Sequence, residues 1–143
     1  MNLPPSPLAL AVFEDRPERP ALHWLAPGFR HCFCLLEQPE GWILCDPLRH
    51  RLHLDFLPAI TLETLAGHFG STGRRILSGT AGEPLPRRLD WLRPFTCVEA
   101  VKRALGVRAH GIWTPFQLFC HLTRELKFHD LAQNAQSPLD CGK

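Results

Sequence analysis

The stretch FRHCFCLLEQPEGWILCDP, residues 29–47, has an apolar run on each side of a segment, EQPEG, that favours a turn. Pro and Gly between two apolar runs are typical of a β-hairpin. Side chains alternate along a strand, so His31 and Phe33 are expected on one face of the hairpin, and Cys32 and Cys34 on the other.

The segments around this hairpin are assigned from their apolar spacing and from flanking Pro and Gly. A helix is predicted after Thr61, with Gly70 as its stop. Further strands are predicted at residues 8–13, 21–25, 51–56 and 74–79. Prolines flank the first of these strands, which is therefore expected at a sheet edge.

A second helix has a clear start at Thr96. Thr96 stands three residues before Glu99, which is the spacing of a capping box, and Gly106 follows the last apolar position. The pattern predicts a helix from Cys97 to Leu105, with Cys97 as its first residue.

A third helix is predicted from Pro115 to about Lys127. Thr114 is its expected N-cap, Pro115 occupies the first helical position, and Gln117 is the reciprocal capping residue. Strands followed by helices indicate an α+β fold, an antiparallel sheet of about four to six strands packed against helices.

The length of 143 residues fits a single domain covering residues 1–143. A proline-rich N-terminal arm is expected at about 1–20, lying on the surface, and a polar tail at about 130–143. No apolar run approaches the ~18 residues of a membrane span. Because the first residues lack a basic leader and a cleavage site, no signal peptide is expected.

Six cysteines match no disulfide framework, so reduced thiols in the cytoplasm are expected. The 16 basic and 14 acidic residues are scattered along the chain, and no nucleic-acid partner is expected. The abundance of Leu, Ala, Arg and Pro favours a bacterial or phage-encoded protein.

Three residues form a candidate catalytic group: Cys97, His31 and Asp46. The N-terminus of a helix carries unsatisfied N–H groups and partial positive charge, which stabilise a thiolate. His31 and Asp46 lie on the two arms of the hairpin. Direct pairing would bring them within ~5 Å, whereas a slip of one residue would place Pro47 opposite His31.

The motifs GFRHCFCLL, WILCDP and TCVEAVKRALG resemble those of papain-like cysteine peptidases. The order of histidine, acidic residue and then cysteine is similar to the circularly permuted branch, which includes lecithin retinol acyltransferase-like enzymes and bacterial amidases or peptidases. The resemblance covers roughly residues 29–106. It implies a permuted papain-like fold and hydrolysis or acyl transfer at an amide or ester of a peptide or cell-wall-like substrate.

In the implied mechanism Cys97 attacks a carbonyl, His31 takes up and returns a proton, and Asp46 orients the imidazole. No cofactor is implied. The sequence offers no evident side-chain donor to complete an oxyanion hole. The alternative is therefore an inactive papain-like module with a binding or structural role in a bacterial or phage assembly, contacting a protein partner through the N-terminal arm or the 80–94 loop.

Zinc binding is a further alternative for the histidines and cysteines around the hairpin. Structural zinc sites take four such ligands, commonly with a C-x-x-C spacing. That spacing is absent here, and strand alternation separates His31 from Cys32 and Cys34, so no metal site is expected. The residues considered were His31, Cys32, Cys34, Cys45, His50 and His53.

Overall fold

A computed structural model describes residues 6–16, 24–48, 51–83, 96–131 and 141–142. These residues form an α+β fold with a six-stranded antiparallel sheet and three helices, which confirms the predicted α+β class and the antiparallel sheet. The strands are β1 (Leu8–Glu14), β2 (His31–Gln38), β3 (Gly41–Pro47), β4 (Leu52–Pro58), β5 (Arg75–Thr80) and β6 (His129–Asp130). The helices are α1 (Leu62–Ser71), α2 (Cys97–Leu105) and α3 (Pro115–Arg124).

The strand order in the sheet is β4-β3-β2-β1-β5-β6. Strand β1 is internal, between β2 and β5, and residues 9–13 are completely buried. The expected edge position and surface arm are therefore wrong for β1. Pro7 precedes the strand, so it removes no ladder donor, and its carbonyl accepts the N–H of Ala81.

The β2–β3 hairpin turns through two residues, Pro39 and Glu40, because Gln38 pairs with Gly41. The same register pairs Cys34 with Cys45. Continued along the strands, it sets Asp46 across from Phe33 rather than His31. Direct pairing of His31 with Asp46 was therefore the wrong register, but an offset of two residues keeps both side chains on one face.

Two apolar cores cover the two faces of the sheet. One face packs against α2 and α3 and contains the buried Phe13, Cys34, Val101 and Leu118. The other face packs against α1 and contains a second group, whose members include Phe33, Trp42, Leu65 and Phe69. Helix α2 therefore lies on the face of the sheet that carries the cysteines of β2 and β3.

Both ends of α2 lie where the sequence predicts them. The Thr96 hydroxyl accepts the Glu99 N–H at 3.2 Å, and Gly106 closes the helix with a φ of 68°. A Cβ at position 106 would lie 2.5 Å from the Glu83 carbonyl oxygen, so only glycine fits this close approach. Local capping chemistry is sufficient to set where α2 begins and ends.

Helices α1 and α3 also begin at their predicted caps. Thr61 accepts the Thr64 N–H, and Thr114 forms a full capping box with Gln117 ahead of Pro115. Helix α3 ends at Arg124, three residues before the predicted end. A short strand, β6, follows in a region that the sequence assigned to the start of a polar tail.

Cys120 and Cys141 form a disulfide, so the expectation that all six cysteines are reduced is wrong for this pair. Cys141 follows Cys120 by 21 residues, a spacing that matches no local motif. The free cysteines are Cys32, Cys34, Cys45 and Cys97. Three of them are buried, and Cys97 is partly exposed.

Several sequence predictions fall on segments outside the described residues. Most of the 80–94 loop, most of the predicted 21–25 strand and most of the C-terminal tail belong to these segments. Trp24 and Leu25, the described part of the 21–25 segment, lie in a turn. Where the chain is described, it contains no helix that is both long and apolar enough to span a membrane.

Candidate active site

The three candidate residues come from three different elements. Cys97 is the first residue of α2, His31 is the first residue of β2, and Asp46 is the penultimate residue of β3. His31 and Asp46 are carried by one hairpin, whereas Cys97 is 66 residues further along the chain than His31. The fold brings the three side chains together at one end of the sheet.

The imidazole of His31 is hydrogen-bonded to Asp46. Its Nε2 lies 2.7 Å from Asp46 Oδ1, and the His31 side chain is only 2% exposed. The second carboxylate oxygen of Asp46, Oδ2, accepts from a guanidinium nitrogen of Arg16 at 3.1 Å. A carboxylate held at both oxygens can fix the orientation of the buried imidazole.

The side chains of Cys97 and His31 interact, and each stabilises the charged form of the other. Because Asp46 occupies Nε2, the ring nitrogen left for Cys97 is Nδ1. The resulting chain of contacts runs from sulfur to imidazole to carboxylate. This is the order in which a nucleophile, a base and an orienting group are arranged in cysteine-dependent catalysis.

The pKa of Cys97 is lowered from 9.0 to about 5. The largest cause is a hydrogen bond from the Cys32 side chain, which favours the thiolate. Burial acts in the opposite direction, but the hydrogen bond and charge of His31 and a hydrogen bond from the Cys32 backbone add to the lowering. Cys97 is therefore a thiolate at neutral pH.

The pKa of His31 is raised from 6.5 to about 9. Burial disfavours the imidazolium, but hydrogen bonds to Asp46 and Cys97 and the charges of both groups outweigh it. Burial likewise opposes ionisation of Asp46, yet contact with His31 and Arg16 lowers the pKa of its carboxyl. Between about pH 5 and pH 9 the site holds a thiolate and an imidazolium.

Cys32 is a member of this site that the sequence did not identify. Strand alternation places Cys32 on the face of the sheet covered by α2, opposite to His31. Burial raises its own pKa, so Cys32 remains a thiol and can donate to the Cys97 thiolate. No local sequence pattern marks this role, because it depends on how α2 packs against the sheet.

A polar network supports the hairpin from the side of β1. Glu14 is the cross-strand partner of His31 and is buried. Its carboxylate accepts from Arg74 Nε at 2.7 Å and lies 3.1 Å from Arg16 Nε. Arg16 therefore bridges Glu14 and Asp46, and the charged groups behind the imidazole are paired.

The other hairpin cysteines form a separate pair. Cys34 and Cys45 are direct cross-strand partners and share a hydrogen bond, which raises the pKa of Cys34 and lowers that of Cys45. In the described segments, no cluster of three or more His, Cys, Asp or Glu side chains is arranged to hold a metal ion. His50, one of the residues considered for zinc, lies outside those segments.

Comparison with known proteins adds no relative to this description. No protein-family model, no curated protein and no solved structure matches the chain. The chemistry of the site is therefore argued from its own residues.

Proposed function

We propose that this protein is a thiol-dependent hydrolase or acyltransferase acting on an amide or ester bond, with Cys97 as nucleophile. The proposal is carried by one observation: a partly exposed cysteine at a helix N-terminus interacts with a buried imidazole that lies 2.7 Å from a carboxylate. An oriented imidazole beside an activated thiolate is the arrangement that acyl transfer requires.

In the first step the Cys97 sulfur attacks the carbonyl carbon of the substrate. A carbon–sulfur bond forms and the carbonyl oxygen becomes an oxyanion. The first-turn N–H groups of α2 point towards this end of the helix, and they supply partial positive charge for the oxyanion. The Glu99 N–H is already bonded to Thr96, so the earlier N–H groups are the candidate donors.

In the second step the bond to the leaving nitrogen or oxygen breaks. The His31 imidazolium donates its proton to the leaving group, which departs and leaves a thioester on Cys97. The now neutral imidazole accepts a proton from water, or from an alcohol or amine acceptor, as that molecule attacks the thioester. Collapse of this adduct releases the acyl product and restores the thiolate.

Asp46 holds the imidazole in place and favours its charged form. Its Oδ1 contacts Nε2, so Nδ1 is the ring nitrogen proposed to exchange protons at the Cys97 site. The resemblance to permuted papain-like enzymes implies the same three roles, and peptides or acyl esters are the proposed substrate class. A peptide or cell-wall-like fragment would present the amide bond to Cys97.

The test uses 4-nitrophenyl acetate as a generic acyl donor, with nitrophenol release and intact mass as readouts. We expect a burst of nitrophenol and one acetyl group on Cys97. Cys97→Ala should abolish both, and Cys34→Ala, which removes a buried thiol on β2, should retain both. Asp46→Asn should keep the fold but slow the burst by about 10²-fold or more, because the imidazolium loses its carboxylate partner.

Two results would contradict the proposal. One is acetylation spread evenly over the free cysteines, and the other is a burst that survives Cys97→Ala. Either result would favour the non-catalytic papain-like module, in which Cys97 has only a structural role.

A further inference from the structure

Strand β4 presents an apolar stripe at the border of the sheet. It pairs with β3 on one side, and the described residues provide no strand on its other side. Leu52, Leu54 and Phe56 are 44%, 59% and 47% exposed. These alternate residues share one face, so three large apolar side chains lie exposed in a row. Natural proteins usually protect such an edge or pair it.

Backbone N–H and C=O groups of alternate β4 residues point away from β3. The Phe56 N–H donates to the Asp55 side chain at 2.9 Å, so it points away from β3. N–H and C=O groups of alternate residues point to the same side of a strand. Leu52 and Leu54 therefore direct their backbone groups outward as well.

We infer that β4 pairs antiparallel with β4 of a second copy of this chain, around a two-fold axis at Leu54. The sequence LHLDF, residues 52–56, is nearly symmetric about its centre. In this register Leu54 faces Leu54 of the second copy, and Leu52 faces Phe56 of the second copy. Both are positions with outward backbone groups, so each pair exchanges two hydrogen bonds and the two sheets become continuous.

The polar side chains of β4 also find partners in this register. His53 of one copy lies across from Asp55 of the other, and the axis creates this pair twice. Both residues are exposed and occupy the positions between the hydrogen-bonded pairs, where opposing Cα atoms are only ~4.5 Å apart. A shift of one residue would pair Asp55 with Leu54 and lose both histidine–aspartate pairs.

Pairing also changes the hydrogen-bond partner of the Asp55 carboxylate. In the single chain it accepts the outward Phe56 N–H. In the dimer that N–H donates to the Leu52 carbonyl of the second copy, and the carboxylate turns to His53 of the second copy. An edge that matches itself in apolar side chains, backbone groups and histidine–aspartate pairs fits a closed two-fold dimer.

The first experiment measures mass against concentration by sedimentation equilibrium. We expect a monomer–dimer equilibrium for the unmodified chain. Leu54→Arg should weaken association by about tenfold or more, because two like charges meet at the axis. Leu126→Arg is the matched control, since Leu126 is 44% exposed but lies outside β4, and it should dimerise like the unmodified chain.

The second experiment tests the register. Oxidised Leu54→Cys should form a covalent dimer through position 54, because a hydrogen-bonded pair has Cα atoms ~5.5 Å apart. Leu52→Cys should not link to itself, since its two copies lie about 14 Å apart. His53→Asp should weaken the dimer, and His53→Asp with Asp55→His should restore it.

Three results would overturn the inference. They are a monomer at the highest soluble concentration, a dimer as tight in Leu54→Arg as in the unmodified chain, and cross-linking that is no faster at position 54 than at position 52. Each readout is independent of acyl transfer, so loss of the catalytic proposal would leave this inference intact.

Discussion

The ionisation of Cys97 depends on two neighbouring residues of β2. Cys32 donates from its thiol and its backbone, and His31 contributes a hydrogen bond and a positive charge. These contributions outweigh burial, which alone would raise the pKa of Cys97. The low pKa is thus a property of the contact between helix and strand, and it can be changed one donor at a time.

Replacing Cys32 by Ala removes the thiol donor to Cys97. The pKa of Cys97 should then rise above about 5, and the pH at which alkylation by iodoacetamide is half-maximal should rise with it. Mass spectrometry of the Cys97 peptide across pH 4–9 measures this midpoint. Cys34→Ala is the matched control, because the Cys34 thiol interacts with the Cys45 thiol and not with Cys97. An unchanged midpoint in Cys32→Ala would show that Cys32 is only a packing residue.

Sequence alone identified the three residues of the candidate site but not their mutual geometry. Cys97 and Asp46 could be predicted because local signals marked their positions: a capping threonine for Cys97 and a hairpin for Asp46. The involvement of Cys32 depends on how α2 sits above the sheet, which is a long-range contact without a local signature. The part played by Arg16 is similar, since it reaches Asp46 across 30 residues of sequence.

The position of Cys97 is set by the start of α2. Thr96 is the N-cap, and its hydroxyl accepts the Glu99 N–H, which fixes the first turn. The same chemistry begins α3 at Thr114, far from the candidate site in sequence. Removing each cap in turn therefore separates an effect on the free energy of unfolding from an effect on the reactivity of Cys97.

Thr96→Ala and Thr114→Ala should each lower the free energy of unfolding by about 1 kcal/mol, because each removes an N-cap. Only Thr96→Ala should also slow alkylation of Cys97 at pH 6, since it loosens the turn that presents the sulfur. Urea unfolding measures the first effect and mass spectrometry the second. Equal alkylation rates in the two variants would mean that the cap has no part in presenting the thiol.

The starts of all three helices and the end of α2 were predicted correctly and strand pairing less well, for a physical reason. Capping is a contact between residues three apart, so Thr96 and Gly106 specify α2 by themselves. Register depends on how many residues form the turn, and Pro39–Glu40 proved tighter than the expected EQPEG loop. The internal place of β1 depends on β5, a partner more than 60 residues away.

At the scale of the whole molecule, a disulfide joins α3 to a point near the end of the chain. Cys120 and Cys141 enclose a loop of about 20 residues. A cross-link of this span restricts the unfolded chain by an amount worth about 3 kcal/mol. The sequence could not assign this pair, because six cysteines allow many pairings and no spacing motif selects one.

Cys141→Ser should lower the free energy of unfolding by about 3 kcal/mol, measured by urea denaturation. Dithiothreitol should destabilise the unmodified chain by a similar amount and have no further effect on Cys141→Ser. The alkylation midpoint of Cys97 should stay near pH 5 in both, as the disulfide lies outside the candidate site. Equal stability with and without the cross-link would show that it does not constrain the chain.

The separation of His31 and Cys97 along the chain has a practical consequence. An unfolded polypeptide cannot keep the two residues in contact, so Cys97 reverts to an ordinary, slowly reacting cysteine when α2 leaves the sheet. Labelling at mildly acidic pH therefore distinguishes native from denatured molecules without an added dye. The protein carries an intrinsic reporter of its own refolding.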